Sequence, residues 1–144
     1  MPELCTIGYE NHTQPELIAR LREAGVEVLI DVRAVASSRR AGFSKTLLAS
    51  SLAEAGIEYV HLRGLGTPKP GREAARAGRI AEMHAIYEEQ LQTPEAEHDM
   101  ARAEAIVAER PSALLCLEAD AAGCHRRIVA ERLRERLGLS VRDL

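Results

Sequence analysis

The stretch that decides the fold reads LLCLEADAAGCHRR and runs from Leu114 to Arg127. It starts as an apolar strand, continues as a short loop and passes into a helix that opens with Cys124, His125 and Arg126. The N-terminus of a helix carries N–H groups without helical partners and the positive end of the helix dipole, so it attracts anions and lowers the pKa of a thiol. We therefore predict a functional site where this strand meets this helix.

The rest of the chain alternates in the same way between short apolar runs and amphipathic segments. Strands are predicted at residues 4–9, 26–32, 57–62, 113–118 and 139–144. Helices are predicted from a capping box at 13–16, from Ser44 with Leu47, Leu48 and Leu52 on its buried face, and over 72–92, 95–109 and 125–137. This order predicts one α/β domain over residues 1–144, a three-layer sandwich with a mainly parallel sheet of four or five strands flanked by helices.

Composition narrows the classes of function. Apolar residues make up 46% of the chain, but there is no Trp, one Phe and three Tyr. Such scarcity argues against a surface that stacks single-stranded bases, and no apolar run approaches the roughly 20 residues that span a bilayer. Three cysteines without a signal peptide predict reduced thiols in the cytoplasm.

The net charge of −3 conceals a strong asymmetry along the chain. Residues 31–79 carry nine Lys/Arg against four Asp/Glu, and residues 121–144 carry six against three. Residues 80–120 carry two against ten. The basic segments surround the predicted site, which is consistent either with ordinary solvated helix faces or with a field that steers anions.

Polar residues follow several of the predicted strands. Tyr9 ends the first strand, Asp31 and Arg33 end the second, and the third and fourth end at His61 and at Cys116 with Glu118. Because the carboxyl ends of parallel strands meet at one edge of a sheet, where α/β proteins bind ligands, these groups are expected to converge.

The same residues carry a resemblance to a known family. Its motifs are TIGY at 6–9, DVR at 31–33, SRR at 38–40, FSK at 43–45, GIEY at 56–59, LG at 65–66, LCLE at 115–118 and CHR at 124–126. In this order they resemble the family numbered 488 among the domains of unknown function. The resemblance implies a small cytoplasmic α/β domain with no assigned activity.

The predicted catalytic group consists of Cys124, His125 and Glu118. Cys124 is the candidate nucleophile, activated by the helix terminus and its basic neighbours, and His125 is the candidate proton shuttle. Arg126 follows Cys124 by only two residues, which does not fit the Cys-x₅-Arg loop of phosphatases. The alternative for Cys124 is a small side chain packed beneath the loop.

The predicted ligand-binding group is Tyr9, Asp31, Arg33, Ser38, Arg39, Arg40 and Arg126. In this interpretation the arginines clamp a phosphate or carboxylate, the acids orient the arginines, and Tyr9 and Ser38 supply neutral hydrogen bonds. The alternatives are surface salt bridges or contacts with a nucleic-acid backbone.

Three functions remain open at this point. The first is an enzyme acting through Cys124 on a phosphorylated or nucleotide-like substrate, without a resident metal or cofactor. The second is a non-enzymatic module that binds nucleic acid or a small anion. The third is a metal-dependent hydrolase using Cys116, Cys124, His125 and an acid such as Glu118 or Asp120, although the seven-residue gap between Cys116 and Cys124 exceeds the usual zinc spacing.

Overall fold

The computed structural model describes residues 3–116 and 125–144. Within these ranges the strands are β1 (Glu3–Gly8), β2 (Val28–Asp31), β3 (Glu58–His61), β4 (Ser112–Cys116) and β5 (Ser140–Asp143). All neighbouring strands pair in parallel, in the order β3-β2-β4-β1-β5. The predicted parallel sheet is confirmed, and the last residues form its fifth strand at one side.

The helices are α1 (Gln14–Glu23), α2 (Lys45–Glu54), α3 (Lys69–Arg76), α4 (Ile80–Gln90), α5 (Pro94–Glu109) and α6 (Arg126–Leu137). A 3₁₀ turn occupies Arg63–Leu65. The prediction of a single helix over 72–92 is wrong, because Gly78 adopts a left-handed φ of 80° and ends α3 before α4 begins. None of these helices is long and apolar enough to cross a membrane.

Alternate residues along each strand face opposite sides of the sheet and build two separate cores. On one face, Ile7 and Leu29 pack with buried residues of α1 and α2. On the other face, Ile30 and Leu114 pack with buried residues of α3, α4, α5 and α6. This period of two confirms the three-layer α/β sandwich. The expectation that Leu47 is buried is wrong. Leu47 is 58% exposed, because only the side of α2 that carries Leu48 and Leu52 faces the sheet.

The path of the chain reverses at β4. From β1 to β3 the chain crosses on the face covered by α1 and α2, whereas β4 inserts between β1 and β2 and is followed by α6 on the opposite face. The segments that leave β2 and β4 therefore lead to opposite faces of the sheet. A crevice is expected between neighbouring strands whose connections diverge in this way. We call the end of the sheet where β2, β3 and β4 finish the carboxyl edge, and the opposite end the amino edge.

Candidate functional site

A buried ion pair stands at the end of β2. The Asp31 residue is 0% exposed and the Arg33 residue 6% exposed. The Nε of Arg33 donates to both carboxylate oxygens of Asp31 at 2.9 and 3.0 Å, and its Nη2 donates to Oδ2 at 2.7 Å. Burial lowers the pKa of Arg33, but the hydrogen bonds and charge of Asp31 outweigh it and raise the pKa above its ordinary value. Arg33 is therefore charged at every pH at which the protein folds.

Two tyrosines and a backbone carbonyl complete this network. The Nη1 of Arg33 donates to the Tyr9 hydroxyl at 3.3 Å and to the carbonyl of Phe43 at 2.8 Å. The Tyr59 hydroxyl donates to Asp31, and burial together with the Asp31 charge raises the pKa of Tyr59. All three guanidinium nitrogens of Arg33 thus donate within the protein, so this arginine acts as an internal tie between strand ends. The candidate residues chosen from the sequence did not include Tyr59.

Arg40 holds the 32–44 loop against the turn that follows β1. Its guanidinium donates to the carbonyl of Glu10 and, at 2.5 Å, to that of His12. It also lies 5.6 Å from the centroid of the Phe43 ring, which stacks on the Tyr9 ring at 4.5 Å. Although Arg40 is exposed, its donors are directed at the chain itself.

Ser38 and Arg39 occupy the same loop with different surroundings. The Ser38 hydroxyl accepts a hydrogen bond from the Arg40 amide at 3.1 Å, and the Ser38 amide donates to the Ser44 hydroxyl at 3.1 Å. Arg39 is exposed, and no hydrogen bond or ion pair engages it within residues 3–116 and 125–144. Of the two adjacent arginines, Arg39 is the one available to a ligand.

Two histidines bind the backbone that leaves β2. The Nε2 of His125 lies 2.7 Å from the carbonyl of Val32, and the Nε2 of His61 lies 2.7 Å from that of Arg33. Burial lowers the pKa of His125 to about 4, the bond to Val32 opposes this shift, and the Arg126 charge adds to it. Because a carbonyl oxygen only accepts, the neutral His125 ring carries its hydrogen on Nε2. At neutral pH His125 is therefore uncharged.

Arg126 and Cys116 meet at the end of β4. Both residues are 1% exposed, and the Nη1 of Arg126 donates to the Cys116 sulfur at 3.3 Å. Cys116 is disulfide-bonded, so the prediction of a reduced thiol is wrong for this residue. Cys5 is a free thiol in the core of the sheet, where burial and the nearby Glu3 raise its pKa.

Two members of the predicted catalytic group, Glu118 and Cys124, lie outside the described residues, as does Asp120. Their roles stay predictions. Within the described part of the chain, no three His, Cys, Asp or Glu side chains come together as a metal site.

The 3₁₀ turn after β3 supports the 32–44 loop through its glycines. A Cβ on Gly66 would lie 2.3 Å from the backbone N and Cα of Ala34, so only glycine permits this contact. The Gly64 amide donates to the buried Asp99 carboxylate at 2.7 Å, which anchors the turn on α5. The sequence interpretation noted the Leu65-Gly66 pair but missed Asp99, because nothing in the local pattern of α5 marks a partner 35 residues away.

The chain belongs to the family described as Domain of unknown function DUF488, which it matches over residues 13–133 of 144. Comparison with curated proteins and with solved structures gave no match.

Proposed function

We propose that this member of the DUF488 family binds a small phosphorylated or nucleotide-like anion in the crevice at the carboxyl edge, beside β4. The proposal extends to catalysis on that ligand, with Cys124 as the nucleophile. A ligand-binding module without catalysis is the narrower form of the same hypothesis.

One observation carries the proposal: the segments that leave β2 and β4 each carry an exposed arginine without a partner among the described residues. Arg39 follows β2, and Arg127 lies in the first turn of α6, which follows β4. Both are exposed, and neither makes a hydrogen bond or ion pair among the described residues. Two long cations on diverging segments at a reversal of the chain path favour an anionic ligand between them.

The buried groups beneath would set the geometry of this ligand site. Asp31 and Arg33 neutralise one another, so this buried pair adds no net repulsion for an anion. Arg40 fixes the loop that carries Arg39, and His125 fixes the start of α6 by its bond to Val32. The N-terminus of α6 adds the positive end of its dipole. These supports limit the entropy that ordering Arg39 and Arg127 would cost on binding.

In the catalytic form of the proposal, the proton of the Cys124 thiol passes through His125 to the leaving oxygen, while the sulfur bonds to phosphorus and the P–O bond to the leaving group breaks; water then releases phosphate and restores the thiol. The low pKa of His125 makes it a weak base, so the helix dipole and the neighbouring arginines carry most of the thiolate activation. Because Cys116 is disulfide-bonded and the proposed nucleophile must be a thiol, activity must be assayed in a reducing buffer.

The test is calorimetric titration with adenosine 5′-monophosphate and with uncharged adenosine at low salt. We expect the phosphate-bearing ligand to bind at least about tenfold more tightly, the equivalent of one charge-assisted hydrogen bond. Arg39→Gln and Arg127→Gln should each weaken its binding by about tenfold. Cys124→Ser should leave binding intact and abolish any turnover of phosphorylated test substrates.

Arg20→Gln is the matched control, because Arg20 is an exposed arginine near the C-terminal end of α1 and far from the crevice. Equal binding of the monophosphate and of adenosine would refute the proposal. An equal loss of monophosphate binding in Arg20→Gln would show that the effect comes from the net charge of the protein. Binding without turnover in the reduced wild type would leave the non-catalytic form.

A further inference from the structure

A second basic surface lies on α3 and takes no part in the proposed ligand site. Lys69, Arg72 and Arg76 recur along this helix at spacings of three and four residues, and Arg79 continues the series after Gly78. At 100° per residue, Lys69, Arg72 and Arg76 fall on one side of α3, and Arg79 lies beyond the end of that helix. We call Lys69, Arg72, Arg76 and Arg79 the α3 stripe.

The opposite side of α3 is buried, which turns the α3 stripe to solvent. Gly71 and Ala74 are buried, and a Cβ on Gly71 would lie 2.5 Å from Thr67 and 3.3 Å from Ile86. Such small residues let α3 pack closely on α4. Lys69, Arg76 and Arg79 are exposed and Arg72 is half-buried.

Few acids balance the α3 stripe. Glu73 is the one acid within α3, and Glu82 pairs with Arg79 at 2.6 Å. Arg72 donates to the carbonyl of Thr67 at 2.9 Å, which leaves its positive charge unneutralised. Lys69 and Arg76 have no ion pair in the part of the chain that the structure describes. A straight row of cations about 10 Å long, from 69 to 76, is the electrostatic signature of a polyanion surface.

We propose that the α3 stripe binds the phosphate backbone of double-stranded DNA without sequence preference. The duplex is favoured over single strands because every aromatic residue is at least half-buried, at Tyr9, Phe43, Tyr59 and Tyr87, so none offers a platform for unstacked bases. Residues 69–79 contain no Ser, Thr, Asn or Gln, so apart from Lys and Arg the α3 stripe offers no side chain for base edges or a ribose hydroxyl. What remains is contact between charges.

The experiment is fluorescence anisotropy of a labelled 20-base-pair DNA duplex titrated with the full chain between low and moderate salt. Three to four phosphate contacts predict that log K falls with log salt at a slope of about −3. The double variant Lys69→Gln/Arg76→Gln should weaken binding at low salt by about tenfold or more and reduce the slope by about two.

The matched control is Arg20→Gln/Arg22→Gln, which removes the same charge from two exposed arginines at the end of α1. It should bind DNA within about twofold of wild type if the surface, rather than net charge, is responsible. An equal loss in both double variants, or no binding by wild type at low salt, would overturn the proposal. Tighter binding of a single strand or of an RNA duplex would overturn the choice of duplex DNA. None of these outcomes depends on whether the carboxyl edge binds a nucleotide.

Discussion

The two edges of the sheet hold ion pairs of opposite character. At the carboxyl edge, the side chains of Arg33 and Asp31 are 7% and 0% exposed and meet at 2.7 Å. At the amino edge, the Arg110 side chain is 41% exposed and reaches Glu58 at 2.5 Å and Glu27 at 3.6 Å, both 56% exposed. Both clusters tie neighbouring strand ends together, but only the first takes its charges out of water.

The difference in burial identifies where the fold carries a cost that stability alone does not require. Exposed pairs contribute little and cost little, whereas each buried charge loses several kcal/mol of hydration that its partner must restore. A hydrophobic group could cap the end of β2 at no such cost. The chain instead keeps charged residues at the end of β2, which agrees with a role in positioning a ligand site.

The largest effect is expected from Asp31→Ala. This substitution leaves Arg33 buried and charged without its carboxylate, and we expect a loss of about 3–5 kcal/mol in the free energy of unfolding. Urea denaturation followed by circular dichroism measures it. A loss below about 1 kcal/mol would mean that Arg33 finds water or another partner, and the contrast between the edges would disappear.

The next effect is expected from Gly66→Ala, because the new methyl group would clash with the Ala34 backbone. We expect a loss of about 2–3 kcal/mol and faster tryptic cleavage after Arg39 and Arg40 as the loop moves away. Gly25→Ala is the control at the amino edge, where φ is 74° and nothing lies within 4 Å of an added Cβ. It should cost about 1–2 kcal/mol through backbone strain and leave tryptic cleavage unchanged. Equal cleavage in both variants would argue against the support that Gly66 gives the loop.

His125, at the carboxyl edge, makes the stability of the protein depend on pH. Its pKa is about 4 in the folded protein and about 6.5 when unfolded, so between these values the unfolded chain binds the additional proton. Stability is therefore retained above about pH 6.5 and lost as the pH falls towards 4, by on the order of 1–3 kcal/mol. His125→Gln should abolish this part of the decline between pH 7 and 5. An unchanged slope in the variant would show that His125 is not held neutral.

A smaller effect is expected from Tyr59→Phe, which removes the hydroxyl that donates to Asp31 while keeping the packed ring. We expect a loss of about 1–2 kcal/mol, because Asp31 retains its bonds from Arg33. A double-mutant cycle with Asp31→Asn tests the contact directly. If Tyr59→Phe costs as much in the Asp31→Asn background, its effect comes from packing.

Features that depend on local sequence or on topology could be predicted. The Thr13 capping box forms as its spacing requires, with the Thr13 side chain and Glu16 bonded to one another's backbone. The carboxyl ends of parallel strands must lie at the same edge of a sheet. Asp31, His61 and Cys116, which end their strands, are therefore found at one edge. Periodicity was less informative where a helix breaks: a single helix was predicted across Gly78, whereas α3 ends at Arg76 and α4 begins at Ile80.

The state of each site residue depended on long-range contacts and could not be predicted. Nothing local distinguishes Arg39 from Arg40, yet Arg40 is occupied by carbonyls 28 and 30 residues away. Likewise, Arg33 is a plausible ligand clamp until Tyr9 and the Phe43 carbonyl are placed against it. The sequence indicates which cations follow the strands, but only packing assigns them to the framework or to the surface.

The smallest effect is expected at the amino edge, from Arg110→Gln. This substitution breaks the contacts with Glu27 and Glu58, yet all three side chains remain in water and the freed carboxylates are solvated at once. We expect a loss of no more than about 1 kcal/mol in urea denaturation, shrinking further at 0.5 M salt as screening replaces the pair. The buried Asp31–Arg33 pair should resist the same salt. A loss of stability in Arg110→Gln as large as that in Asp31→Ala would mean that burial does not decide what these ion pairs contribute. The energetic reason for placing the ligand site at the carboxyl edge would then be lost.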